Sequence, residues 1–178
     1  MKTIKNLLSI LFLGLIMISC NQDSLQKFMV DSYENENFIA FDFPASLLQA
    51  DKSGLDQDEI EVYNSIKKVN VVALQFENTD QQFFNSQEDR LKKIFKDSAY
   101  QELMKFNTQG MAVSVYFTGN EDAIDEIILF GYKNGEALGV ARVLGKKMDI
   151  AKIMDVANKI EIDPSSLPVD NIEAFFTN

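Results

Sequence analysis

The side chains that most often carry enzyme chemistry are scarce in this sequence. Its 178 residues include no histidine, no tryptophan and one cysteine, Cys20. A Ser-His-Asp triad, a Cys-His pair, and a zinc or haem site built on His or Cys ligands are therefore excluded or nearly so. General acid–base catalysis would depend on Asp, Glu, Lys or Tyr. We predict no catalytic residue, no cofactor and no metal site.

One serine and one lysine have the spacing of a known nucleophilic pair. Ser65-Ile66-Lys67-Lys68 matches Ser-x-x-Lys, in which a lysine lies one helical turn from a nucleophilic serine. The companion Lys-Thr-Gly and Ser-Asp-Asn elements of that chemistry are missing from the sequence. We therefore interpret Ser65 as an ordinary helix end.

Two acidic clusters carry the oxygen ligands that calcium prefers. The first contains Asp56, Asp58, Glu59 and Glu61, and the second extends from Asn120 to Glu126. Calcium-binding loops place Asp or Asn at alternate positions around a central glycine. Neither cluster has this spacing, so we interpret the acids as helix starts and solvated turns.

The only cysteine follows an apolar run near the start of the chain. Two lysines precede Leu7 to Ile18, a largely apolar run of 12 residues. A run of this length is too short to span a bilayer and is typical of a signal peptide. Met17-Ile18-Ser19-Cys20 resembles a bacterial lipobox, after which the cysteine is acylated and becomes the first residue. We predict that residues 1–19 are removed and that acyl chains on Cys20 anchor the protein to a membrane of the cell envelope.

The mature chain is strongly acidic. Removing residues 1–19 takes away two lysines and no acidic residue, which changes the net charge from −10 to −12. Binding to nucleic acid or lying flat on an anionic membrane requires clusters of Lys and Arg, so we expect neither. Asn21 follows the cysteine, whereas the enterobacterial sorting rule retains Asp-bearing lipoproteins in the inner membrane. By that analogy the outer membrane is favoured.

Helical spacing of apolar residues is clearest in the first half of the mature chain. Residues 25–32 form one amphipathic helix with Ser24 as its N-cap. The capping box Asp56-x-x-Glu59 predicts a helix over residues 57–68. Ser86-x-x-Asp89 predicts the start of the next helix, and Tyr100-Gln101-Glu102-Leu103-Met104 predicts a further helical turn or two.

Short apolar runs predict the strands. Residues 38–43 and 69–76 form two candidates. Residues 111–118, 126–132 and 137–144 predict a three-strand meander, followed by a helix that carries Ile150, Ile153, Met154 and Ala157 on one face. Both faces of these strands are mostly apolar, so we expect helices to cover at least one face.

Asn134-Gly135 is the strongest turn signal in the chain. As a two-residue type I′ hairpin loop, it sets the pairing of the flanking strands. Tyr132 then faces Ala137, Phe130 faces Gly139, and Ile128 faces Ala141. Bulky residues oppose small ones in this predicted register.

These elements predict an α+β fold with a mainly antiparallel sheet, a C-terminal three-strand meander and covering amphipathic helices. We expect a lipidated cysteine and short tether at residues 20–23 and a single domain over residues 24–162. Residues 163–178 are predicted to form a C-terminal tail.

Several apolar motifs together resemble a known family. They are Tyr100 to Met104, Val113 to Phe117, Asp125 to Leu129, Leu144-Gly145-Lys146, and Met148-Asp149 with Ile153. About residues 36–160 are similar to a family of Bacteroidetes envelope proteins catalogued as a domain of unknown function. The resemblance implies a secreted or lipid-anchored envelope protein, and it implies no activity and no catalytic residues.

The leading functional hypothesis is a non-enzymatic, lipid-anchored envelope protein that binds or organises a protein partner. Phe83 and Phe84 lie in a loop-like stretch and are candidate partner contacts, although a hydrophobic staple onto the next helix is the favoured interpretation. Phe175-Phe176 in the tail has the same ambiguity. Two other functions stay open: a carboxylate- or Ser/Lys-dependent hydrolase of envelope polymers, and a module that binds a small apolar ligand between sheet and helices.

Overall fold

The computed structural model describes residues 23–47, 54–108, 110–120 and 123–159. The predicted signal peptide, Cys20 and the C-terminal tail with Phe175-Phe176 lie outside the described residues. The predicted domain boundary at residue 162 lies outside them as well.

A six-stranded sheet is the centre of the fold. Every neighbouring pair of strands is antiparallel, and the spatial order is β1-β2-β6-β5-β4-β3. The strands are β1 (Phe38–Pro44), β2 (Ile66–Gln75), β3 (Gln101–Thr108), β4 (Met111–Asn120), β5 (Ala123–Lys133) and β6 (Ala137–Met148). The α+β fold and the meander of β4, β5 and β6 are confirmed.

Four helices accompany the sheet among the described residues: α1 (Leu25–Tyr33), α2 (Gln57–Ser65), α3 (Gln81–Ile94) and α4 (Ile150–Lys159). All four begin with a side-chain cap, which satisfies one backbone N–H that the first turn leaves unpaired; the capping residues are Ser24, Asp56, Asp80 and Asp149. The backbone N–H of Lys27 donates to Ser24, and that of Phe83 donates to Asp80. The predicted capping box is confirmed, because the backbone N–H groups of Asp56 and Glu59 each donate to the side chain of the other residue.

The helices α1 and α3 pack on one face of the sheet, here called the front face. Leu25 and Phe28 from α1 and Leu91 from α3 are at most 1% exposed in its core. The Phe95 ring at the end of α3 stacks on Tyr116 of β4, with ring centroids 4.5 Å apart. Such ring pairs add stability beyond the area they bury. These contacts position α1 and α3 as a helical layer over the front face.

The helices α2 and α4 pack on the opposite face, here called the back face. They cover only the end of the sheet where β2 begins and β6 ends. Ile150 and Ile153 of α4 pack on Phe117, Ile127 and Met148. Val156 of α4 packs on Val62 and Tyr63 of α2. The two helices therefore form a small second core at one end of the back face.

The predicted hairpin register is wrong by one residue. Phe130 pairs with Val140 and Ile128 with Arg142, so three residues connect β5 to β6. The backbone N–H of Glu136 donates to Lys133 O, and within the turn only Gly135 has a positive φ, at 68°. A type I′ turn would need positive φ at both central residues, whereas one glycine at the third position suits a type II turn. A slip of one residue moves every side chain of a strand to the other face.

Three other predictions at element ends are corrected. The helix expected over residues 57–68 ends at Ser65, because Ile66 already pairs with Gly145 of β6. In the segment from Tyr100 to Met104, every residue after Tyr100 belongs to strand β3, so the segment is not helical. A bulge between Glu102 and Met104 interrupts the two-residue alternation of β3, and the resulting spacing resembles a helical one.

The start of α3 lies earlier in the chain than predicted. Asp80 is the N-cap, whereas Ser86 lies inside the helix and its hydroxyl donates to Phe83 O at 2.7 Å. Serine inside a helix commonly makes such a bond to the preceding turn. The stretch expected to be a loop is therefore the first turn of α3.

The position of this cap leads to a testable difference between two alanine variants. Asp80→Ala should lower the free energy of unfolding by about 1 kcal/mol, the usual effect of losing an N-cap. Ser86→Ala should change it by less than about 0.5 kcal/mol, as for other exposed positions. Urea unfolding followed by circular dichroism measures both, and the reverse order would contradict the assigned cap.

Candidate functional site

The most distinctive surface is the end of the back face that no described helix covers. Pairing between strands places six residues in a row across the sheet: Phe41, Val71, Ala141, Leu129, Val115 and Met104. The next row is Ile39, Ala73, Gly139, Gly131, Val113 and Phe106. All twelve positions are apolar or glycine, and these two rows are called the open patch.

Much of the open patch is accessible. Leu129 is 36% exposed and Phe106 is 41% exposed, although both are large apolar side chains. Val115 packs into the second core, and Ala73 and Val113 are also buried. The other nine positions are half-buried or exposed. A continuous apolar surface of this kind usually marks an interaction site.

Small residues make the middle of the open patch shallow. Gly139 and Ala141 of β6 lie beside Gly131 and Leu129 of β5. The Met111 side chain lies over Gly131, where an added Cβ would stand 2.8 Å from the Met111 Sδ atom. The Met111 side chain therefore covers the β5 backbone at Gly131, and a partner can approach the sheet backbone closely along β6, at Gly139 and Ala141.

The patch continues to a free sheet edge. Among the residues that the structure describes, strand β3 pairs with β4 alone, and seven of its eight residues are exposed. Leu103, at the bulge of this edge strand, is 37% exposed. A bulge and nearby charges such as Lys105 are typical of edge strands protected against unwanted pairing.

A polar network lies on the front face, beneath the first turn of α1. The Arg142 guanidinium donates through Nε to the Glu126 carboxylate, and the Thr118 hydroxyl donates to the same carboxylate at 3.2 Å. The side chains of Arg142 and Glu126 are only 15% and 10% exposed. Arg142 also donates to Gln26 Oε1 of α1 at 2.6 Å. The network connects α1 to β5 and β6. Arg142 and Glu126 therefore have a structural role.

Tyr100 also contacts the first turn of α1. The backbone N–H of Leu25 donates to the Tyr100 hydroxyl at 3.3 Å, which satisfies one group at the start of α1. Burial of the Tyr100 ring raises the pKa of its hydroxyl. Tyr100 therefore acts as a structural partner of α1 at neutral pH.

A second network joins the chain just before α1 to helix α3. The Arg90 guanidinium donates two hydrogen bonds of 2.7 Å to the two oxygens of Asp23, and a third of 2.6 Å to Asp31. Its hydrogen bonds to Asp23 hold the pKa of that carboxyl below the ordinary value. Lys27 and Arg90 lower the pKa of Asp31 in the same way. A bidentate Arg–carboxylate pair has a defined geometry, so Asp23 is held against α3.

The structure changes the interpretation of the two phenylalanines predicted as a partner contact. Both lie in the first turn of α3, and Phe84 is 1% exposed in the front-face core. Phe83 is half-buried and its ring meets that of Phe38 at 6.0 Å. Of the two alternatives, an exposed aromatic pair in a loop does not fit these positions, and both rings pack on the domain itself.

The serine and lysine of the Ser-x-x-Lys match are not arranged for catalysis. The Ser65 hydroxyl donates to Val62 O at 2.6 Å, while Lys68 lies on β2 and forms an ion pair with Asp42. The helix ends between them, so the two side chains do not lie on successive turns of one helix. Within the described parts of the chain, no cluster of three or more Asp, Glu, Cys or His residues could hold a metal ion.

Sequence reasoning did not locate the open patch or the Arg142–Glu126 pair. With the predicted register, Gly139 and Ala141 would face Phe130 and Ile128, and a filled surface would result. The observed register places these small residues on the back face. A loop of three residues at Asn134 would have predicted the observed register. It also places Arg142 and Glu126 on one face.

Comparison with known proteins shows one family. Residues 28–156 match the family model described as a domain of unknown function (DUF4252). This range is close to the span of about residues 36–160 expected from the sequence motifs. No curated protein and no solved structure matches the chain. Among the described residues, no helix has the length and apolar character needed to cross a bilayer.

Proposed function

The chain belongs to this family of domains of unknown function, and on that premise we propose that it is a lipid-anchored bacterial envelope protein that binds a partner protein through the open patch. The observation that carries the proposal is the two complete rows of apolar residues across all six strands. Its Bacteroidetes origin and its place in the outer membrane are parts of the same proposal.

The shape of the open patch favours a polypeptide over a small molecule. Each residue on one face of a sheet occupies about 4.8 by 6.8 Å, so the nine positions that are half-buried or exposed cover roughly 300 Å². This area is comparable to the largest apolar patches of monomeric proteins, which are often functional. The middle of the patch has no deep pocket, because Gly139 and Ala141 lack large side chains and the Met111 side chain fills the space over Gly131. A small ligand buries most of its surface in a concave pocket, whereas a partner protein can lie on a flat surface.

The size of the patch also indicates the kind of complex. A standard interface buries about 800 Å² on each partner, more than twice the accessible area of the open patch. Leu103 and the free edge of β3 adjoin the patch and extend it. We therefore propose a transient complex, or one in which the partner also contacts the β3 edge.

The proposed role is non-enzymatic. The Ser65 hydroxyl donates to Val62 O, and Lys68 forms an ion pair with Asp42. The Glu126 carboxylate already accepts hydrogen bonds from Arg142 and Thr118. No described arrangement favours the hydrolase hypothesis. The open patch offers apolar contact and no polar group aimed at a reacting atom.

The lipid anchor has its own test. Mass spectrometry of the mature protein should find acyl chains on an N-terminal Cys20, and Cys20→Ala should release the protein from membranes. Ser86→Ala is the matched control, because it changes an exposed side chain and leaves the proposed anchor intact. An unmodified N-terminus beyond Cys20 in the native protein would overturn this part of the proposal.

Site-specific photo-crosslinking tests the partner surface. A benzoylphenylalanine replaces Leu129 or Phe106 in the open patch, and Val30 on α1 as a control of similar exposure. After irradiation in native membranes, the two patch positions should yield the same protein product, which the Val30 position does not. The partner identified in this way should then bind the purified mature protein directly.

Two other products would overturn the proposal. Crosslinks from Leu129 to residues 160–178 of the same chain would show that the C-terminal segment covers the patch. Crosslinks to lipid would show that the patch lies on the bilayer. Equal yield of one product from Val30 and Leu129 would show that the patch has no special role.

A further inference from the structure

We propose that the anchor holds the helical layer of α1 and α3 toward the bilayer and turns the open patch toward the aqueous compartment. This inference rests on the proposed lipid anchor and goes beyond it, because it specifies the side from which the partner approaches. Two features set this orientation: the place where the chain before α1 is attached, and the distance that Cys20 can reach.

The attachment point is well defined. Asp23 is held by both oxygens on Arg90 of α3, and Arg90 also bonds Asp31 of α1. The Arg90 guanidinium lies 5.1 Å from the centre of the Phe28 ring, which is itself completely buried. Ser24 then caps α1, and Leu25 is 1% exposed. Asp23 therefore belongs to the helical layer on the front face.

The tether between Cys20 and Asp23 is short. An extended chain spans at most about 3.6 Å per residue, so three steps reach roughly 11 Å. The acylated Cys20 lies at the bilayer surface. Asp23, where the chain joins the helical layer, therefore stays within roughly 11 Å of that surface.

The open patch is farther from the attachment point than the tether can span. A helical layer is about 10 Å thick, and the spacing of packed sheets indicates about 10 Å for a sheet with its side chains. Asp23 lies in the helical layer, so the surface of the patch is roughly 15 Å away, across the sheet. To lie flat on the bilayer, the patch would require a longer tether.

The consequence concerns the class of partner. A patch held away from the bilayer is accessible to water-soluble proteins and to the aqueous domains of membrane proteins. It is not accessible to acyl chains or to the membrane-embedded part of a partner. The anchor and the patch thus act on opposite sides of one sheet.

Single tryptophans can measure this orientation, because the chain contains none. The full lipidated protein is prepared as two variants, Val30→Trp on α1 and Leu129→Trp in the patch. Both positions are exposed, at 47% and 36%, so the larger side chain has room. Val30 lies about 10 Å along the helix from Asp23. Each variant is bound to phosphatidylcholine vesicles that carry a nitroxide on the lipid headgroup, and quenching of tryptophan fluorescence is recorded.

The expected result is at least two-fold stronger quenching at Val30→Trp than at Leu129→Trp. Equal quenching at the two positions, or stronger quenching at Leu129→Trp, would overturn the orientation. Circular dichroism of both variants checks that the fold is kept. Failure of the mature protein to float with vesicles would instead overturn the lipid anchor, and the two failures are therefore distinguishable.

Discussion

Leu129→Glu should weaken binding of the crosslinked partner at least about 30-fold, which corresponds to about 2 kcal/mol. Leu129 lies between Ala141 and Val115 in the middle of the open patch. A carboxylate at this position would be buried against the partner without a counter-charge, and such a charge is costly. Isothermal titration calorimetry with the purified partner measures the dissociation constant.

Val30→Glu is the matched control for this variant. Val30 is 47% exposed on α1, so the same change in chemistry is made on the front-face side of the molecule. Its dissociation constant should stay within about two-fold of the unaltered protein, as for rim or distant positions. If both variants bind equally well, or if only Val30→Glu loses binding, the open patch is not the interface.

Arg142→Met should lower the free energy of unfolding by about 3 kcal/mol. Removing one member of a buried ion pair leaves the other charge unpaired, and this typically costs 3–5 kcal/mol. We expect the lower end of this energy range, because the Arg142 and Glu126 side chains keep some exposure, at 15% and 10%. Loss of the Arg142 hydrogen bond to Gln26 also frees the first turn of α1. Urea unfolding followed by circular dichroism measures the effect.

Two further variants separate the cost of an unpaired charge from loss of packing. The double variant Arg142→Met with Glu126→Leu should regain most of the lost stability, because neither charge is then left alone. Lys68→Met breaks the ion pair with Asp42, whose side chains are 46% and 40% exposed. That change should cost less than about 1 kcal/mol, as for surface pairs. A larger loss from Lys68→Met than from Arg142→Met would contradict the assigned burial.

Local sequence patterns were sufficient to predict several helices and turns. Ser24 and Asp56 have the residue types of N-caps, and each is followed by a helix at the expected position. Asn134-Gly135 correctly indicated the hairpin between β5 and β6. These features depend on residues within one or two turns of each other, so a sequence pattern can predict them.

Features that depend on distant partners were not predictable in the same way. Strand β3 forms because it pairs with β4, although almost all of its side chains are exposed. The choice between a two- and a three-residue loop at Asn134 decides the register of β5 against β6. That single step places Arg142 beside Glu126 on the front face, and it places Gly139 and Ala141 on the back face.

The open patch could not be predicted for a further physical reason. Both faces of the strands are apolar, so the sequence indicates that helices cover the sheet without showing which part stays bare. Packing of Ile150, Ile153 and Val156 determines that α4 covers only one end of the back face. The bare region is thus a result of tertiary packing.

Methyl NMR of the mature protein tests the central claim most directly. The crosslinked partner is titrated into protein labelled at its Val, Leu and Ile methyl groups. Binding through the open patch predicts chemical-shift changes at Val71, Val113 and Leu129, with none at Val30 on α1. Changes confined to α1 and α3, with Leu129 unaffected, would contradict the account.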